Sequence, residues 1–163
     1  SVGCEPGSGR WADVSFGRPH EPGRCHDPFM TRVTMSAADA PQPIGPYSVA
    51  ATAPGSGLLF LSGQTPIDPA TGRLVEGDIT TQTRQVFANL RSVLSAAGLS
   101  MDAVVKLNVY LTSMADFAEM NAVYATVFEP PFPARTTLEV RGLPLGASVE
   151  IELVASIQGG PLA

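Results

Sequence analysis

Arg135 stands where a proline-rich loop (Pro130, Pro131, Pro133) meets a strand-like run, Thr136-Thr137-Leu138-Glu139-Val140. Prolines restrict the backbone at and just before their own positions, so this cation is presented by a stiff segment. A guanidinium is a planar, permanently charged fork that matches a carboxylate. A short acid with no other handle needs one such clamp. The ordinary alternative is a surface or structural arginine. Glu150 and Glu152 are two residues apart in an alternating run, so they share one face of a strand and repel unless paired. Either they form a structural ion pair with Lys106 or Arg141, or one of them places or deprotonates a water. Both readings stand at this level.

Three other places carry usable groups. Tyr47 follows Gly45-Pro46 in a rigid turn and reads as a core aromatic with a wet hydroxyl. Ser62-Gly63-Gln64 ends an apolar run, and Gly63 would let a backbone N–H come close to a ligand. Asn121, between Met120 and Ala122, reads as a capping or interhelix hydrogen-bonding residue. Both cysteines (Cys4, Cys25), both histidines (His20, His26) and the one tryptophan (Trp11) lie in the first 30 residues. A site built from residues 36–163 therefore has no Cys nucleophile, no Ser–His dyad and no His or Cys zinc ligand. The chemistry left is that of Arg, Lys, Asp, Glu, Ser, Thr, Tyr, Asn and the backbone.

The elements that must position these groups follow from periodicity. The chain has 163 residues and a formal net charge of −5, which suggests one compact domain and argues against a nucleic-acid binder. No apolar run is long enough to span a bilayer, and a cytoplasmic protein is expected. Residues 1–35 are rich in Gly, Pro and Arg, with balanced charge and no period of 2 or 3.6, so they read as a disordered extension. They lack the apolar core of a signal peptide, and their acids speak against a mitochondrial transit peptide. The Cys4, His20, Cys25, His26 group matches no zinc spacing. A sharper reading puts the native start at Met30 or Met35.

From there, 36–163 reads as a single domain. Ser48–Ala53 and Leu58–Ser62 are expected to form a hairpin about the turn Pro54-Gly55-Ser56-Gly57, and the stretch 66–72 a loop. Ile79, Val86, Leu90, Val93, Leu94 and Ala97, with Phe87, recur at helical spacing between a capping Asp78 and a terminating Gly98. Thr80, Gln82, Arg84, Gln85 and Arg91 fall on its solvated face. Val105, Leu107, Val109 and Leu111 alternate with Lys106, Asn108, Tyr110 and Thr112, a strand with one dry and one polar face. Phe117, Met120, Tyr124, Val127 and Phe128 give a second amphipathic helix, stopped by Pro130 and Pro131. Ser148–Ile157 is the last strand. The sum is an α+β sandwich, two helices on one face of a mixed sheet. The polar second face fits a subunit interface.

These motifs in register resemble one family. Ile44-Gly45-Pro46-Tyr47, Ser62-Gly63-Gln64, Pro66-Ile67-Asp68-Pro69, Met120-Asn121, Pro133-Ala134-Arg135, Leu143-Pro144 and Val149-Glu150-Ile151-Glu152 follow one another as in the reactive-intermediate deaminase (Rid, YjgF) family, over about residues 37–157. The resemblance implies a chorismate-mutase-like fold. It also implies a homotrimer whose sheets form a central barrel, with sites in the clefts between subunits. The implied reaction is cofactor-free and metal-free hydrolysis of small anionic 2-enamine and 2-imine acids, such as 2-aminoacrylate and 2-iminobutyrate, to 2-keto acids and ammonia. Carried over by position, Arg135 binds the substrate carboxylate and Glu150 positions the water. Tyr47, Ser62, Gly63, Asn121, Thr136 and Thr137 line the pocket. The family commonly has Ser, Ala or Cys after the arginine and often Cys next. Here both positions are Thr, which narrows the pocket wall and removes a thiol. A non-catalytic binding, chaperone-like or translation-inhibiting trimer is the alternative, and a relative tuned to another small acid is a third reading. Retention of Arg135 together with Glu150 favours the enzyme.

Overall fold

A computed structural model describes residues 32–157. Its main sheet has six strands: β1 (Val33–Met35), β2 (Ala50–Thr52), β3 (Leu58–Gln64), β6 (Val104–Leu111), β7 (Ala134–Glu139) and β8 (Val149–Ser156). A two-stranded hairpin, β4 (Ile67–Asp68) and β5 (Arg73–Leu74), lies apart from it. The order across the main sheet is β1-β2-β3-β8-β6-β7. Only β6 and β7 run parallel, joined by a crossover through the helix α2 (Phe117–Tyr124). The expected mixed sheet with two helices against it is the observed architecture.

The helix α1 (Ile79–Ala96) begins and ends as its sequence asks. The Asp78 carboxylate accepts the Thr81 N–H at 2.8 Å. Gly98, at φ 72°, lets Leu99 N–H return to the Leu94 carbonyl and its own N–H to that of Ser95, both at 2.9 Å. Val86, Leu90, Val93 and Leu94 are wholly buried between these caps, against Leu107, Val109, Ile151 and Leu153 of the sheet. Each such side chain contributes roughly 1.5–3 kcal/mol by leaving water.

Several expectations are corrected. The sheet begins at Val33, ahead of the domain boundary placed at 36, because Val33–Met35 pair antiparallel with β2. The metal-site and extension readings of the earlier residues, and the Met30 start, lie outside the described residues. Within the stretch 66–72, residues 69–72 are the expected turn, but Ile67–Asp68 pair with Arg73–Leu74 as a hairpin around it, and Asp68 braces it: its carboxylate accepts from Ala70 N–H (2.9 Å) and the Thr71 hydroxyl (3.1 Å). Gln82 is buried rather than solvated, since its Oε1 accepts the Ser148 N–H at 2.9 Å and ties α1 to the start of β8. Val105 is exposed, and Val104 is buried instead. The register against β8 shifts between Val104 and Lys106, so one residue bulges outward. Val127 and Phe128 lie in turns beyond the end of α2, with Phe128 still packed in the core.

Candidate active site

Strand register decides where each candidate points. Paired residues share a face and successive residues alternate. Arg135 pairs with the buried Leu107, so it lies on the helix-covered face. Glu150 pairs with Tyr110 and Glu152 with Asn108, on the opposite, open face. The two residues expected to share a reaction therefore project from opposite sides of one sheet.

On the helix side, Arg135 is fixed from several directions. Its Nη1 donates to Asn121 Oδ1 at 2.7 Å. Its guanidinium carbon lies 4.4 Å from the Tyr124 ring centre and 5.7 Å from that of Phe117. Phe117, Asn121 and Tyr124 are spaced i, i+4, i+7 on α2, one stripe of a helix that meets the start of β7. Tyr124 is itself braced by Phe128 (centroids 4.8 Å) and by Phe87 (6.2 Å). Burial raises the Tyr124 phenol pKa, and the nearby Arg135 charge opposes the rise. A hollow of about 410 Å³ opens beside the guanidinium, lined by Asn121, Tyr124, Ala125, Phe132, Pro133 and Arg135. Asn121 thus acts as neither helix cap nor interhelix bridge; it holds the arginine.

The open face carries the acids. Glu152 Oε1 accepts from Asn108 Nδ2 and from the Tyr110 hydroxyl, both at 2.8 Å. That bond, more than burial, raises the Tyr110 pKa. Lys106 goes to Thr136 Oγ1 at 2.6 Å, so the ion pair expected with a glutamate is replaced by a lysine–threonine bond between neighbouring strands. Glu150, half-buried, lies against Gly63. A Cβ built on Gly63 would sit 2.8 Å from the Glu150 carboxyl carbon, so only glycine leaves the carboxylate its place. Gly63 falls where the β3–β8 register shifts, between Leu61 and Gln64. Burial first, and the Glu152 charge second, raise the Glu150 pKa.

Tyr47 and Ser62 share a further hollow of about 460 Å³ with Phe60, Arg32 and Glu152. Ser62 Oγ is committed to the Ser48 carbonyl at 2.7 Å. Thr136 and Thr137 point opposite ways, as neighbours on a strand do: Thr136 to Lys106, and Thr137 inward with a buried Oγ1 that has no hydrogen-bond partner. The candidates therefore come together in two groups, Arg135 with Asn121, and Glu150 with Gly63 beside the Tyr47–Ser62–Glu152 hollow. Sequence reasoning had Tyr124 only as a core residue and gave Phe132 no role. Its i+3 relation to Asn121 was the available signal for Tyr124.

Residues 37–157 match the model of the family described as Endoribonuclease L-PSP. A RutC family protein of Pyrococcus horikoshii is 52% identical over 117 residues, covering 72% of this chain and 91% of that protein. The chloroplastic Reactive Intermediate Deaminase A of Arabidopsis thaliana is 42% identical over 123 residues, covering 76% of this chain and 65% of its own. Among solved structures, a protein of the conserved Rid family from Yersinia pestis superposes with TM-score 0.73 at 45% identity, covering 77% of this chain and 98% of that one.

Proposed function

The chain belongs to the Endoribonuclease L-PSP family, the Rid (YjgF) family, and from that premise we propose that it hydrolyses small 2-imino acids to 2-keto acids and ammonia. One observation carries the reading. Arg135 is an oriented cation, hydrogen-bonded at 2.7 Å by Asn121 and stacked on Tyr124, with a hollow in front of it. Nη1 is taken by Asn121, so the carboxylate of an acid is received by the remaining guanidinium donors. The net charge of −5 favours a small acid over RNA as the ligand.

The chemistry asked of the protein is modest. The substrate is a protonated imine, R–C(=NH₂⁺)–COO⁻, already electrophilic at carbon. Water adds to that carbon, giving a carbinolamine. The C–N bond then breaks, and the products are R–CO–COO⁻ and NH₄⁺. A 2-enamine enters after protonation at C3. Glu150 receives the water's proton and returns it to the departing nitrogen, a role suited to a carboxyl whose pKa is raised by burial and by the Glu152 charge. Orientation by the Arg135 clamp supplies the rest.

Arg135 and Glu150 lie on opposite faces of the sheet, so the proposed site is completed by a second copy of the chain, in the homotrimer expected of the family. The test generates 2-aminoacrylate or 2-iminobutyrate in situ with a serine/threonine dehydratase and follows keto-acid appearance. Wild type accelerates it and Arg135→Ala does not. Equal rates with and without wild type would sink the reading. Equal acceleration by the variant would keep the enzyme and remove Arg135 from its centre.

A further inference from the structure

The hollow beside Arg135 is larger and more apolar than a two- or three-carbon acid requires. Its volume of about 410 Å³ lies in the range that holds whole small-molecule ligands. One end is the guanidinium. The rest of the wall is the Tyr124 ring, Ala125, Pro133 and the Phe132 ring. Phe132 is 56% exposed, although its ring contacts that of Tyr124 at 6.5 Å between centroids. Tyr124 is 6% exposed and backed by Phe87 and Phe128, so this wall is rigid. A single cation set in an aromatic and aliphatic wall recognises an amphiphile: a carboxylate with an apolar group a few bonds away.

We propose that this hollow receives the side chain of the substrate, and that the protein prefers 2-imino acids with branched aliphatic or aromatic side chains over those with one or two carbons. The proposal rests on the reading of Arg135 as the carboxylate clamp. With Nη1 held by Asn121, the bound carboxylate lies on the free edge of the guanidinium. The α-substituent then projects along the Tyr124–Phe132 wall. Ala125 is the smallest side chain of the lining and lies at its exposed side, so its methyl leaves room beside the Tyr124 ring that a larger residue would fill.

The experiment has a binding arm and a turnover arm. In the first, pyruvate, 4-methyl-2-oxopentanoate and phenylpyruvate, the keto acids of the corresponding imines, are titrated into the full chain by calorimetry. In the second, an amino-acid oxidase with catalase makes the imines of alanine, leucine and phenylalanine in situ, and kcat/KM is compared. The larger acids are expected to bind at least ~10-fold tighter than pyruvate, since each added methylene in a fitted apolar pocket is worth about 10-fold or more. Ala125→Leu fills the hollow and lowers the large-to-small ratio by about 10-fold in both arms. Equal or tighter pyruvate binding, or an unchanged ratio in Ala125→Leu, overturns the proposal. Phe132→Ala, run beside it on a sizing column, must lower the same ratio. A change of assembly with the ratio unmoved would make Phe132 an interface residue and overturn its place here. If the keto acids bind with the expected preference and no imine is accelerated, the deaminase reading falls and this assignment stands. If only small imines are accelerated, the reverse holds.

Discussion

At the scale of single residues, Glu150 and Gly63 act as one unit. A glycine is required where a carboxylate folds over the backbone, and a Cβ would force that carboxylate away. Gly63→Ala is therefore expected to lower deaminase turnover by on the order of 100-fold, the cost of displacing a reacting group by about 1 Å. Little change in melting temperature should accompany it, and far-UV circular dichroism with the coupled dehydratase assay checks both. Glu150 also predicts a pH effect. Its folded pKa is raised, so between the ordinary carboxylate value of 4.5 and the folded value the native state holds more protons than the unfolded one. Stability then falls as pH rises through that window. Glu150→Gln, which cannot ionise, should melt higher than wild type at pH 7 and equally at pH 4. A variant less stable at pH 7 would contradict the assignment. Activity in wild type should rise with pH along a limb above the usual carboxylate range, and that limb should vanish in the variant.

The same scale shows what a sequence can disclose. Arg135 and Glu150 stand out as charges in runs of small or apolar residues, but their assignment to one site comes from the family resemblance and not from that pattern. Their neighbours were less legible. Asn121 was read as a structural hydrogen-bonder and proved to hold the arginine, a contact 14 positions away that only the packing of α2 on β7 creates. The expected Lys106–glutamate pair was lost because Asn108 and Tyr110 reach Glu152 and Thr136 takes the lysine. Which of several partners within reach wins is a matter of side-chain geometry that strand alternation does not encode.

At the scale of elements, α1 does more than cover the sheet. Asn89, 1% exposed, donates to the Thr65 carbonyl at 3.1 Å and the Ile67 carbonyl at 2.8 Å. It pins the segment that runs out of β3 just past Gly63. Asn89→Ala would take the side-chain donor from the Ile67 carbonyl, while the Thr65 carbonyl keeps the Ile67 N–H at 2.8 Å, and is expected to cost about 1–3 kcal/mol, read from urea unfolding at constant m-value. A change below ~0.5 kcal/mol would mean that water replaces the amide. The caps of α1 and the alternation of β8 were written plainly in the sequence because they are local. The hairpin β4–β5, the bulge at Val105 and the strand β1 were not. β1 pairs with a strand well downstream of it, the bulge turns on a single extra residue, and β4 and β5 are two residues each, too short to show a period.

At the scale of the whole molecule, the two faces of the sheet divide the proposed labour. Arg135 belongs to one face and Glu150 to the other, so the proposed centre calls for two chains. Light scattering is expected to give three times the chain mass. Arg135→Ala and Glu150→Ala, each inactive alone, should recover part of the wild-type rate when unfolded together and refolded as mixed assemblies. Some sites then receive both intact residues. No recovery from mixed assemblies of confirmed composition would place both residues in the same subunit's site. Phe60 and Leu138, 47% and 52% exposed on the open face, are the apolar surface such an assembly would cover.

The position of β8 in the sheet has a consequence for time. It lies between β3 and β6, and Leu58 in the first half of the described residues pairs with Ser156 near their end. A chain made from its N-terminus can form α1 and α2 as local helices, but the middle of its sheet is missing until residues 149–156 have been made. Such non-local pairing folds slowly. The strand that completes the core also delivers Glu150, so a nascent chain acquires its proposed acid and its tertiary structure in the same late step. Until then the apolar faces of β3 and β6 lack their common neighbour, the interval in which an unfinished chain is most exposed to aggregation.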